Sequence, residues 1–155
     1  MDERQLSVML REMARSHGMC DKFYNKWKDD EDLDSMLDMF VDNQDFCVKN
    51  DFPSAEFISK YVDVDDLHRH NVYIDEDIDI CTDKSEDYVV LGECCGTIRI
   101  KGFAVSNITL RHGCSIDVKT EGFARVFIRV FDDAECTYEK KDMSRVTAFD
   151  YKGGI

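Results

Sequence analysis

Apolar residues recur along roughly the first sixty positions at helical spacing, three to four residues apart, and along the rest at every second residue. The first pattern marks amphipathic helices and the second marks strands with one buried face. Leu6, Met9, Leu10 and Met13 share one face of a helix predicted over 2–16, with Asp2 placed to cap its start and Gly18 to stop it. Asp21 opens a short helix carrying Phe23, Tyr24 and Trp27. Asp30 opens a third, whose apolar face is Leu33, Met36, Leu37, Phe40 and Val41. The only proline, Pro53, precedes Ser54, which is suited to cap a fourth helix bearing Phe57, Ile58 and Tyr61. Four helices within 2–61 are expected, with Leu10, Leu37, Phe40 and Phe57 buried among them.

The period changes near His70 and Asn71, which divides the chain into a helical region, 1–71, and a β-repeat region, 72–155. Val72, Ile74, Ile78 and Ile80 share one parity and Tyr73, Asp75, Asp77 and Asp79 the other, predicting one strand with an acidic outer face. Beyond it the sequence repeats every ten residues. Cys94, Ala104, Cys114, Ala124, Ala134 and Ser144 are all small, and the positions four further on are Ile98, Ile108, Val118, Ile128, Tyr138 and Ala148. Turn sequences alternate between KGFA, EGFA and KDMS on one side and LGEC, RHGC and FDDA on the other, so the unit is twenty residues with two strands and two turns. A fixed period of this size marks a solenoid, whose rungs bury their apolar edges by stacking. Three rungs fit between 92 and 152, with Cys94, Cys114 and Ala134 one above another. The expected fold class is α+β, a helical start followed by a small β-solenoid. The rival is an antiparallel β-meander or sandwich, which gives no reason for turn types to alternate.

Composition adds a compartment and charge adds a constraint on partners. With 43% hydrophobic residues the chain can bury a core unaided, and seven cysteines without CxxC pairs read as reduced thiols in a cytoplasmic protein. No basic leader runs into an apolar stretch, and no run approaches the length that spans a bilayer. Residues 1–92 hold 10 Lys and Arg against 24 Asp and Glu, whereas residues 93–155 hold 10 against 9. Neither nucleic acid nor an anionic membrane is an expected partner of so acidic a first part.

Candidate chemistry is sparse. Asp75, Asp77, Asp79, Asp83 and Glu86 fall on a calcium-loop spacing, but Ile80 stands where the sharp turn needs glycine, so the acids read as the outer face of a strand. His17 with Cys20, His68 with His70 and His112 with Cys114 are isolated pairs rather than a four-ligand zinc set. Cys94, Cys114 and Cys136 take the inward parity, where a thiol packs as a small apolar group. Cys114, near His112 and Arg111, is the one candidate nucleophile, and burial opposes its ionisation. No catalytic residue, cofactor or metal is assigned.

The outward parity of alternate strands is more informative. Arg111, Arg125, Phe127, Arg129, Phe131, Arg145, Phe149 and Tyr151 are expected together on one sheet, and arginines with aromatics are enriched at interface hot spots. Lys140 and Asp150 replace apolar residues in the inward columns of the last rung and blunt its open edge. A non-enzymatic interaction or assembly protein is expected, a homo-oligomer that self-associates through the arginine and aromatic face or through the open end of the solenoid, or one binding a protein partner. The alternative is a decoy that sequesters a host factor or a small anionic ligand, and an enzyme of unknown type is the third reading.

Two resemblances bear on this. Ile98, Phe103, Ile108, Val118, Phe123 and Ile128 lie on a five-residue grid that resembles pentapeptide-repeat proteins. Lys101, Arg111 and Glu121 stand where that family needs small residues, and Gly113 and Asp133 break the grid, so the chain is not assigned to it. The stretches HGMCDKFYNKW at 17–27 and DFCVKNDFPSAEFI at 45–58 are similar to uncharacterised bacterial and phage-borne proteins that pair a helical start with a short β-repeat tail. That resemblance implies a mobile-element origin and carries no chemistry.

Overall fold

The computed structural model describes residues 1–152. They form two compact units, Met1–Asp66 and residue 67 onward. Helices α1 (Glu3–Ser16), α2 (Asp21–Lys26), α3 (Leu33–Asp42), α4 (Gln44–Asn50), α5 (Ala55–Tyr61) and α6 (Val64–Arg69) precede the strands. Asp2 and Gln5 close a reciprocal capping box on α1, Asp32 caps α3, and Ser54 Oγ accepts from Phe57 N at 3.1 Å to start α5. Two expectations need correction. Among the described residues there are six helices, not four, because α4 and α6 are too short to show a period, with Leu67 the only buried residue of α6. Leu10, Leu37 and Phe40 are buried as expected, but Phe57 is half-buried, its ring 4.7 Å from that of Tyr61, and Ile58 takes the core position.

The repeat region is a β-solenoid of about four turns with every strand pair parallel. Strands β1 (Val72–Ile74), β3 (Tyr88–Leu91), β5 (Val105–Leu110), β7 (Arg125–Val130) and β9 (Arg145–Asp150) make one sheet. Strands β2 (Asp77–Thr82), β4 (Cys95–Ile100), β6 (Ser115–Thr120) and β8 (Glu135–Lys140) make the other. The rungs between Cys94 and Ser144 keep the twenty-residue register without slip: Ile98 pairs with Val118 and Val118 with Tyr138, while Ile108 pairs with Ile128 and Ile128 with Ala148. Cys94, Cys114 and Ala134 follow one another up the stack, since Ser115 N donates to Cys94 O and Glu135 N to Cys114 O, both at 2.8 Å. The meander is excluded by the parallel pairing.

The solenoid starts a turn earlier than the repeat predicts, and the single strand expected from Val72 to Ile80 is two strands in different sheets. Asp75 takes a left-handed φ of 51° and the chain corners at Asp75 and Glu76. A two-residue corner preserves parity, so Ile74 and Ile78 stay in phase although they belong to different sheets. This first turn is also short: Val72 pairs with Val89 and Asp77 with Cys95, offsets of 17 and 18 rather than 20.

A ladder of left-handed turn residues holds the corners. His112, Asp132 and Asp142 have φ between 55° and 59°, in line with Gly92, Gly102 and Gly122 at about 70°. Each side chain caps the turn below: Gly92 N donates to His112 Nδ1, His112 N to Asp132 Oδ2 and Gly122 N to Asp142 Oδ2, all at 3.0 Å. Asp and His take this conformation at lower cost than most residues and satisfy a backbone donor while doing so. The small residue that follows each turn, such as Cys114, Ala124 or Ala134, is fully buried inside the corner.

Candidate association surface

Three acids of the run at 75–87 hold the architecture. Asp75 Oδ1 accepts from Glu93 N at 2.7 Å, Asp77 Oδ1 from Cys95 Sγ at 3.0 Å, and Asp87 Oδ1 from both Asn107 N and Asn107 Nδ2 at 3.1 Å. A strand passes through the calcium spacing, and among the described residues no three His, Cys, Asp or Glu side chains converge on a metal position. All seven cysteines are free thiols. Burial, assisted by the adjacent Cys94, pushes the Cys114 thiol up to about 12, and burial with the Asp117 carboxylate pushes Cys136 up to about 11. Both stay protonated near neutrality, and His112 is committed to the turn ladder rather than to Cys114.

The eight residues expected on one face do not form one patch. Arg125, Phe127, Arg145 and Phe149 are exposed, and Arg129 and Tyr151 are half-buried. Arg111 and Phe131 are buried, at 1% and 2% exposure, which corrects the expectation for both. Both continue the outward row of Leu91, which is buried as well, and the neighbouring outward row is buried at Val89 and Thr109 inside the strands, so this part of the face is covered. Phe131 stacks on Tyr151 with centroids 5.1 Å apart, and the Arg129 guanidinium lies 6.0 Å from the Phe131 ring. The two exposed aromatics are not neighbours across the ladder: Phe127 lies opposite Thr147, and Phe149 lies opposite Arg129. The face is therefore interrupted rather than continuous.

Comparison with protein-family models, with curated proteins and with solved structures gave no match. The reading of the surface rests on its own geometry. Among the described residues no helix is long and apolar enough to cross a membrane.

Two further apolar surfaces stand out, and the first of them lay outside the sequence reading. Phe103, Phe123 and Met143 occupy the same place in successive turns and are 79%, 55% and 68% exposed, the two rings stacked at 5.0 Å and nearly parallel. The matching turns KGFA, EGFA and KDMS carried that signal, but periodicity does not say which turn residues face out. The second surface is the end of the solenoid. Tyr138 and Ala148 continue the inward columns of Val118 and Ile128, which are fully buried, yet Tyr138 is 49% exposed and Ala148 is exposed as well. Among the described residues β8 pairs only with β6 and β9 only with β7, so each has an unpaired edge.

Two concavities bear on ligand binding. On the outer face of the second sheet, Arg99, Lys101 and Lys119 border a shallow pocket of about 110 Å³, but Lys119 is already held by Asp117 at 3.7 Å and Glu139 at 3.9 Å. The helical unit holds a larger cavity of about 510 Å³ whose walls include Leu10, Met19, Phe23, Trp27, Met36 and Phe52, with Lys26 the one charged residue among those lining it.

Proposed function

We propose that the chain is a non-enzymatic assembly protein that self-associates through the uncovered last turn of its solenoid. One observation carries this: positions that are core in every preceding full turn are solvent-exposed in the last, beside two strand edges that no other described strand pairs. Such an edge is a template for another strand, and a stacking fold gains burial at every turn added. Light scattering over a concentration series should show a species heavier than the 18.0 kDa chain. Tyr138→Lys should weaken that association by roughly tenfold or more while leaving the melt nearly unchanged, because a charge at a desolvated contact is costly and the same charge in water is not. Phe127→Asp should leave association intact. If Phe127→Asp dissociates the protein and Tyr138→Lys does not, the contact is the sheet face instead, and a wild type that stays monomeric throughout removes the proposal.

A second reading, capture of a small ligand, is supported by the cavity in the helical unit. Its volume is in the range of small-molecule sites, and apolar walls with Lys26 among the lining residues suit an anionic amphiphile. Trp27 is the only tryptophan and lines the cavity, so its emission reports occupancy directly. Laurate titrated into the protein should shift and saturate that emission, with weaker binding in Lys26→Glu. An emission spectrum unchanged by laurate leaves self-association as the only reading.

A further inference from the structure

We propose that two copies of the chain join last turn to last turn around a two-fold axis perpendicular to the sheets, with Lys140 of each copy paired to Asp150 of the other. The inference rests on the self-association proposed above and specifies its geometry. It starts from two positions that break the inward columns. Lys140 follows Ile100 and Thr120 in one sheet, and Asp150 follows Leu110 and Val130 in the other. The four residues they follow are buried, and both charged residues are exposed. A lysine and an aspartate at interior-facing positions are tolerated here because nothing in the described chain lies above them.

The chain path then sorts charge along the last turn. Strand β8 runs from the corner at 131–134 to the corner at 141–144, and β9 runs back. Lys140, Lys141 and Arg145 therefore gather at one corner, diluted by Glu139 and Asp142. Asp132, Asp133, Glu135 and Asp150 gather at the other, with Lys152 the one cation. One end of the turn is basic and the other acidic.

Two two-fold operations bring a pair of last turns edge to edge with their interiors aligned, and the charges choose between them. An axis parallel to the strands sets β8 beside β9 of the other copy and matches each corner with itself. Lys140 then faces Lys140 of the other copy across the sandwich, Asp150 faces Asp150, and Lys141 falls opposite Arg145, so like charges face each other at both corners. An axis perpendicular to the sheets sets β8 antiparallel to β8 and β9 antiparallel to β9, and each corner meets the opposite one. With Tyr138 facing Tyr138 and Ala148 facing Ala148, Glu135 falls opposite Lys141 of the other copy. Lys140 and Asp150 then project toward each other across the sandwich from adjacent strands. Glu135 with Lys141 and Lys140 with Asp150 each occur twice, the apolar strip of Cys136, Tyr138, Val146 and Ala148 is covered, and both free edges are paired. An isologous contact of this kind closes on itself, so the product is a dimer and not a filament.

Reversing charge tests the geometry without touching the fold, because both residues are exposed. Lys140→Asp and Asp150→Lys should each weaken dimerisation by roughly tenfold or more, since each sets like charges across the contact. The double variant Lys140→Asp with Asp150→Lys should recover it, and sedimentation velocity reads all four proteins. If Lys140→Asp instead tightens association, the axis lies along the strands and the proposal is overturned. A wild type that dimerises with no response to either reversal, or that grows into filaments, overturns this geometry while leaving self-association standing. A monomeric wild type overturns both.

Discussion

Ile128→Asp is expected to unfold the repeat region, whereas Ala148→Asp, one turn further along the same column, is expected to leave it folded. Tyr88, Ile108, Ile128 and Ala148 stand in register across four parallel strands. Ile108 and Ile128 are fully enclosed, between turns on both sides. An aspartate at 128 forfeits the burial of an isoleucine side chain, about 1.5–3 kcal/mol, and strands a carboxylate among Val118, Ile108 and Val126. The combined cost is on the order of 4 kcal/mol or more, a large part of the ~5–15 kcal/mol that holds a domain together. Ala148 is exposed at the uncovered end, where the same carboxylate keeps its water and costs about 1 kcal/mol or less. Urea melts followed by far-UV circular dichroism separate the two. Equal destabilisation would mean that the last turn is already covered within the chain, and that the surface on which the proposed assembly depends does not exist.

Gly96→Ala is expected to destabilise the solenoid by about 2–4 kcal/mol, far more than alanine substitution at an exposed strand position. Gly96 has φ of 143°, and a Cβ built on it would lie 1.8 Å from Ile78 O and 2.7 Å from Ile78 C. Those atoms are backbone, not the end of a flexible side chain. They belong to β2, the strand that Gly96 joins in the ladder, so relief requires the first turn to move away from the second. Gly18→Ala supplies the control: its φ of 91° carries strain, but a Cβ there meets nothing within 4 Å. If the two substitutions cost the same in a thermal melt, backbone strain alone explains Gly96 and the close approach of β2 is not a stabilising feature.

The parts of this protein legible in the sequence are those in which one residue's environment repeats. Helices α1, α3 and α5 announce themselves through several apolar residues on one face and through side-chain caps. The rungs from Cys94 onward do so through a small residue every ten positions. What escaped the reading is local and aperiodic. Helices α4 and α6 are only 7 and 6 residues long. The corner at Asp75 conserves parity, and the first turn departs from the period by two or three residues. The same limit explains the surface. Parity correctly turned Arg125, Phe127, Arg145 and Phe149 outward, but outward parity is not exposure where the face is covered, as it is at Val89, Thr109, Arg111 and Phe131.

By itself, the sequence determined the α+β class, the twenty-residue rung and the inward columns, because a stacked fold forces each column to be chemically uniform and that uniformity is visible as a period. Only the tertiary structure decided which members of a column are core and which are surface. Ile128 and Ala148, or Val118 and Tyr138, occupy equivalent places in the repeat. Burial depends on a neighbouring turn on each side, and β8 and β9, unlike β6 and β7, have a turn on one side only.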